Sequence, residues 1–164
     1  THPVIAIDGA AGAGKTTLAS LIERSLSRRT SVQTIHMDDL YNGWQNPFDE
    51  NFSNNLKSII QAHRNGSPLS YRRFDWRKNS YTEPLSLPHS ELLILEGVGS
   101  SLLEIDPFLT VRIWLDIDEK IGFQRVIARD GQHLSSEMER WLEIQKQHFW
   151  SQDPRNRADF ILTT

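Results

Sequence analysis

The sequence predicts an α/β fold in three layers: a parallel five-stranded sheet flanked by helices. Three observations carry this expectation. Short apolar runs alternate along the chain with longer stretches of helical period, the pattern of strand–helix–strand units. A glycine-rich segment joins the first apolar run to the first helical stretch. The most continuous apolar run, residues 91–96 (ELLILE), falls mid-chain, as a central strand covered on both faces requires.

Each element has its own justification. Residues 3–8 (PVIAID) are a β-branched apolar run closed by glycine and read as a buried strand. Residues 16–29 place Leu18, Leu21, Ile22, Ser25 and Leu26 at helical spacing, with Arg28 and Arg29 in the last turn, where the helix dipole favours cations. Residues 31–37 (SVQTIHM) alternate as a second strand, ended by Asp38 and Asp39. Residues 52–65 carry Leu56, Ile59 and Ile60 on one helical face and stop at Gly66. Residues 66–90 hold three prolines and no clear period; they read as a long irregular excursion with a short strand at 69–74. Residues 111–117 (VRIWLDI) form another strand, followed by a helix over 118–130 with Asp118 and Glu119 in its first turn. Residues 135–150 form an amphipathic helix presenting Met138, Trp141, Leu142, Gln145 and Phe149 on one side, and 159–162 (DFIL) supply the last strand. Trp114, Trp141 and Trp150 read as core or interface residues.

At 164 residues the chain is expected to be one domain over 1–164. With 38% hydrophobic and 24% charged residues, it is neither fibrous nor disordered, and the absence of cysteine excludes disulfide scaffolds and thiolate zinc sites. No apolar run approaches the ~20 residues of a membrane helix and no basic-then-apolar leader opens the sequence, so a soluble cytoplasmic domain with no membrane partner is expected. The net charge of -3 hides an asymmetry: residues 1–82 carry 10 Lys/Arg against 7 Asp/Glu, residues 83–164 carry 8 against 14. The densest basic stretch, Arg72, Arg73, Arg77 and Lys78, is interleaved with Tyr71, Phe74 and Trp76. That mixture suits either nucleic acid or a pocket for a small substrate.

Residues 9–16 (GAAGAGKT) fit G-x-x-x-x-G-K-[ST] between a strand and a helix. The glycines let backbone N–H groups wrap a phosphate, and the helix N-terminus adds a positive dipole end. Gly9, Ala10, Ala11, Gly12, Ala13, Gly14, Lys15, Thr16 and Thr17 are thus the expected nucleotide-binding residues of a phosphate-binding loop (P-loop), with ATP and Mg²⁺ as cofactors. Lys15 reaches the β/γ-phosphate oxygens and the Thr16 hydroxyl ligates Mg²⁺. No N-K-x-D base reader of a GTPase occurs, and the mid-chain apolar run ends in Glu96-Gly97 where an extended ATPase usually carries Asp or Asp-Glu. A phosphoryl-transfer kinase remains, in which positioning and charge neutralisation supply most of the catalysis.

Asp38 and Asp39 end a strand at the carboxyl edge, where open α/β sheets bind ligands. Glu96 lies at the same edge, and a carboxylate ending so apolar a strand is costly unless a metal or hydrogen bonds satisfy it. Arg125 and Arg129, four residues apart on one helix face, suit a two-pronged phosphate clamp; their structural alternative is pairing with Glu119 or Asp130.

Together these segments resemble the uridine kinase branch of the P-loop kinases, with its phosphoribulokinase-like and pantothenate-kinase-like relatives. The resemblance rests on GAAGAGKTT at 9–17, MDDLY at 37–41, PFD at 47–49, RFDW at 73–76, LEG at 95–97 and RVIARD at 125–130, in family order. It implies the three-layer P-loop NTPase fold, with an acceptor-binding excursion at 41–82 and a lid at 125–136 as in nucleoside monophosphate kinases. It also implies roles: Asp38 as base toward the substrate hydroxyl and near Mg²⁺, and Tyr41, Asp49, Phe74, Asp75 and Trp76 on the acceptor. Arg125 and Arg129 become lid arginines on the transferring phosphate. Arg73 and Asp39 join the acceptor side, and Thr16, Asp38 and Glu96 form the expected metal set. The chain departs from the family in lacking the histidine after the aromatic-Asp-aromatic segment and a further arginine after Asp130. The expected activity is ATP- and Mg²⁺-dependent phosphorylation of a small hydroxyl-bearing metabolite, a nucleoside above all. The competing expectation is a non-catalytic nucleotide-binding module with a nucleic-acid partner, against which the acidic overall charge speaks.

Overall fold

The computed structural model describes residues 2–164. Its strands are β1 (Val4–Gly9), β2 (Val32–His36), β3 (Leu69–Tyr71), β4 (Phe74–Asp75), β5 (Ser80–Tyr81), β6 (Leu85–Leu87), β7 (Leu92–Glu96), β8 (Val111–Asp116) and β9 (Phe160–Thr163). The helices are α1 (Lys15–Leu26), α2 (Glu50–Arg64), α3 (Glu119–Asp130), α4 (Ser135–Gln152) and α5 (Pro154–Arg157). Among the described residues no helix is long and apolar enough to cross a membrane.

Five strands form one sheet in the order β2-β7-β1-β8-β9, every pairing parallel. The three layers follow from alternation along the central strands. Leu93 and Leu95 of β7, with Val4 and Ala6 of β1, pack against Leu56, Ile59 and Ile60 of α2 and Met138 and Trp141 of α4. Leu92 and Ile94 project to the other face, with Ile7 and Leu115, where Ala19 and Leu18 of α1 cover them. The parallel register sets Ile7 of β1 and His36 of β2 beside Glu96 at the end of β7.

The helix boundaries follow local chemistry. Asp118 caps α3, its side chain accepting from the Lys120 and Ile121 amides at 2.9 and 3.2 Å. Helix α1 ends at Leu26, so Arg28 and Arg29 lie beyond it in a turn rather than in its last turn.

The excursion departs most from expectation. Residues 69–87 form nested antiparallel ladders, β3 with β6 and β4 with β5, continued by an Arg73 carbonyl to Thr82 amide bond. Strands of two or three residues are too short to show a period, and Pro68, Pro84 and Pro88 flank the outer ladder strands, where no ladder donor is lost. Between α3 and α4 the connection is short: one 3-10 turn, Gln132–Leu134.

Candidate active site

The parallel strands all deliver their carboxyl ends to one rim, and a cavity of about 340 Å³ opens there. It is lined by Gly12, Gly14, Lys15 and Thr16 of the P-loop, by Asp38 and Glu96, and by Arg125 and Arg129 of α3. The lining also includes an aromatic and apolar set: Tyr41, Trp44, Trp76, Trp141, Met138 and Leu134.

Gly14 precedes α1 in a left-handed conformation, φ +92°, and a Cβ there would meet nothing within 4 Å. The loop therefore opens onto free space at the helix N-terminus, the geometry an anion needs. The Lys15 ammonium donates to the Gly9 and Ala10 carbonyls, each at 2.8 Å. Burial lowers its pKa, an effect opposed by Asp8, Glu96 and Asp38 nearby.

The acids stand where the strands end. Asp38 follows β2 in a 3-10 turn, Met37–Asp39, and faces the open cleft. Although its own surface is accessible from the cleft, surrounding protein strips much of its hydration and raises its pKa; Glu96 adds to this while Lys15 and Arg129 oppose it. Glu96 Oε1 accepts from the Thr16 hydroxyl at 3.0 Å and contacts His36 Nδ1 at 2.5 Å. That bond raises the His36 pKa. Thr16, Asp38 and Glu96 thus supply only oxygen donors, the set a hard cation such as Mg²⁺ takes. The charge on buried Glu96 is answered by a hydroxyl and an imidazole, a partner that sequence reasoning missed.

Arg125 Nη1 reaches the Gly12 carbonyl at 3.4 Å, and Arg129 pairs with Asp130 at 2.7 Å. Both line the cavity, so the ion pair does not take Arg129 away from it. Tyr41 is buried, donating its hydroxyl to the Val98 carbonyl at 2.6 Å, and burial holds its pKa well above the usual phenol range.

Five expected acceptor residues lie off the cavity wall. Asp49 caps α2, accepting from the Phe52 amide at 3.0 Å and from Asn42 Nδ2 at 2.7 Å, so its carboxylate is committed to a helix start. Asp75 accepts from the Arg77 and Lys78 amides and holds the β4–β5 turn. Phe74 is buried beneath Trp76, ring centroids 5.0 Å apart. Arg73 and Asp39 pair with each other at 3.2 Å. Of the aromatic-Asp-aromatic segment only Trp76 lines the cavity.

Other residues take their places. Trp44 packs on Trp76 with ring centroids 5.2 Å apart and on Trp141 at 6.2 Å. Trp141 is both core and cavity wall, whereas Trp150 is 87% exposed. Nothing in the periodicity of 42–47 marked Trp44; a tryptophan three residues before the PFD segment was the available signal. Asp8, buried at the end of β1, accepts from the Gly9 amide and from the Ser101 hydroxyl, tying the P-loop's first residue to the loop after β7.

Residues 5–142 match the profile of a family described as an AAA domain. A uridine kinase of Lactobacillus helveticus is 22% identical, over 97% of this chain and 85% of its own. A uridine kinase of Mycoplasma genitalium is 25% identical over 97% and 84%. Among solved structures, one described as a possible uridine kinase from Bacillus stearothermophilus superposes with a TM-score of 0.69 at 21% identity, covering 98% of this chain and 88% of that one, which establishes a shared fold.

Proposed function

The chain belongs to the AAA-domain family of P-loop proteins, and from that premise we propose that it is a small-molecule kinase moving the γ-phosphoryl group of Mg-ATP to a hydroxyl of a nucleoside-like acceptor. The observation that carries this reading is that one cavity brings the P-loop, Asp38 and two arginines together with an aromatic wall. Similarity to uridine kinases supports the acceptor class.

Mg-ATP, when bound, supplies the transferable phosphoryl group and part of its charge balance. Thr16, Asp38 and Glu96 would hold the metal, and the loop amides the phosphates. Lys15 releases its loop carbonyls to meet the phosphate oxygens, and Arg125 and Arg129 stabilise the charge spreading over the transferred group. Asp38, made more basic than an ordinary carboxylate by its enclosure, accepts the acceptor hydroxyl's proton at a carboxylate oxygen. The aromatic wall offers ring faces to a heterocycle and excludes water from the transferring group. Apart from Lys15, Arg125 and Arg129 the lining residues include no cation, which favours an unphosphorylated acceptor over a nucleoside monophosphate.

An ADP-release screen across nucleosides, nucleotides, pantothenate and sugars tests the proposal. Turnover with a nucleoside, abolished in Lys15→Ala and Asp38→Ala, is the expected result. A protein that binds ATP yet turns over no acceptor, or a fully active Asp38→Ala, overturns it.

A further inference from the structure

Gln145 sits on the buried face of α4, 3% exposed, and its Oε1 accepts the Ala11 amide of the P-loop at 2.8 Å. Since an amide N–H must meet an acceptor, the side chain can engage the loop only through its oxygen. The rest of that face consists of Met138, Trp141 and His148, so an amide among them is costly unless it is hydrogen-bonded. The loop also holds itself, the Ala13 amide bonding the Ala10 carbonyl and Lys15 bonding Gly9 and Ala10, while Arg125 and Thr164 donate to the Gly12 and Ala13 carbonyls. At Ala11 it is the amide N–H, a phosphate-binding type of group, that a side chain of α4 engages.

Helix α3 grips the same point from another side. A Cβ on Gly122 would lie 2.5 Å from the Ala11 carbonyl, and one on Gly12 would lie 2.2 Å from the Gly122 carbonyl. The two helices that carry the arginines and the aromatic wall therefore clamp Ala11–Gly12 between them. Trp141 lies one helical turn before Gln145 on the same face of α4, and Met138 one turn earlier; both line the acceptor half of the cavity.

We propose that Gln145 is a positioning residue that couples the P-loop to the acceptor-side wall, so that filling the loop with phosphate shifts α4 and sets Trp141 and Met138 against the acceptor. The proposal rests on the kinase reading only for the identity of the loop's ligand. Ala11 cannot move toward a phosphate without pulling on the Gln145 amide, and the stiff helix carries that displacement to the wall. Gln145 touches no reacting atom in this scheme. It makes acceptor binding sensitive to donor binding.

MgADP is the probe, and hydrogen exchange of the P-loop and of α4 residues 138–145 is the readout, with affinity from calorimetry. In the wild type MgADP is expected to slow exchange in both segments. Gln145→Met, close in length but without the amide oxygen, should bind MgADP roughly five- to tenfold more weakly, because the loop is then no longer held in its binding geometry before the ligand arrives. It should keep protection at the loop and lose it in α4, while Gln147→Met, an exposed change on the same helix, behaves as wild type. Protection of α4 that persists in Gln145→Met, or an affinity within twofold of wild type, overturns the coupling alone. A wild type that fails to bind MgADP overturns the kinase reading and this inference with it. The wild type also gives a test that needs no variant: by NMR the Ala11 amide should exchange slowly before ligand is added and shift together with the Gln145 side-chain amide on MgADP addition. A fast-exchanging Ala11 amide overturns the proposal.

Discussion

The indole N–H of Trp76 donates to the backbone carbonyl of Asp38 at 3.1 Å. Two further bonds continue the clasp: Arg73 to the Asp39 carboxylate at 3.2 Å and the Tyr81 hydroxyl to the Leu40 carbonyl at 2.9 Å. Burial pushes the Tyr81 hydroxyl up to about 12, so it remains a donor at any working pH. The nested hairpin thus fixes three successive residues of the turn that carries the proposed base, and it also supplies one ring of the aromatic wall.

Separating those two jobs gives the first prediction. Trp76→Phe keeps a ring and loses the donor; kcat should fall about fivefold, matching one hydrogen bond of ~1 kcal/mol, with little change in acceptor KM. Trp76→Ala loses both and should raise acceptor KM at least about tenfold, the worth of a stacked ring at ~1.4 kcal/mol. Steady-state kinetics on both variants decide it, and a Trp76→Ala KM within twofold of wild type would remove Trp76 from the acceptor wall.

Asp38→Asn should lower kcat by about 10²- to 10⁴-fold, the usual worth of a general base. Its stability should move the other way. A carboxyl whose folded pKa lies above its unfolded value favours the fold when protonated and disfavours it as pH rises through the window between the two. At pH 7 the ionised group works against folding, so the neutral amide should raise Tm. A lower Tm at pH 7 would contradict the enclosure of Asp38.

Gly122→Ala opposes two effects. Alanine is the better helix former by about 1 kcal/mol, but its Cβ would lie 2.5 Å from the Ala11 carbonyl. The neighbour is backbone, which cannot swing aside, so overpacking of about 1–3 kcal/mol should win. Urea unfolding should show net destabilisation, and MgADP should bind more weakly. A stabilised variant would mean that α3 can lift off the loop.

His63 provides a pH test remote from the cavity. It is fully buried, its Nε2–H donates to the Pro3 carbonyl at 3.0 Å, and its Nδ1 is left unpartnered. Burial lowers its pKa, with the neighbouring His89 and His2 rings adding to the effect and the Pro3 bond opposing it. The neutral ring's contribution is therefore intact above the unfolded pKa of about 6.5 and is lost as pH falls from there through the lower folded value. The urea midpoint should drop between pH 7 and 5.5, and His63→Leu should flatten that slope. An unchanged slope would assign the acid sensitivity to other groups, such as His148, which burial also shifts down.

The sequence by itself determined the five parallel strands, the P-loop, and the rim where Asp38, Glu96, Arg125 and Arg129 stand. Each of these is written in local terms: alternation or a continuous apolar run in a strand, fixed glycine spacing in a loop, i and i+4 on one helix. Even Gln145 was legible as a residue of the buried face of its helix, though not as a ligand of the loop. Only the tertiary structure decided which groups meet across long separations. Glu96 finds His36 60 residues away, Ala11 finds Gln145 134 residues away, and Trp44 meets both Trp76 and Trp141. It also placed Asp49 at a helix cap and Asp75 in a turn, off the cavity wall, because a short carboxylate satisfies the nearest backbone amides first. Periodicity reports which face a residue occupies; what stands opposite that face is set by how helices and hairpin pack on the sheet.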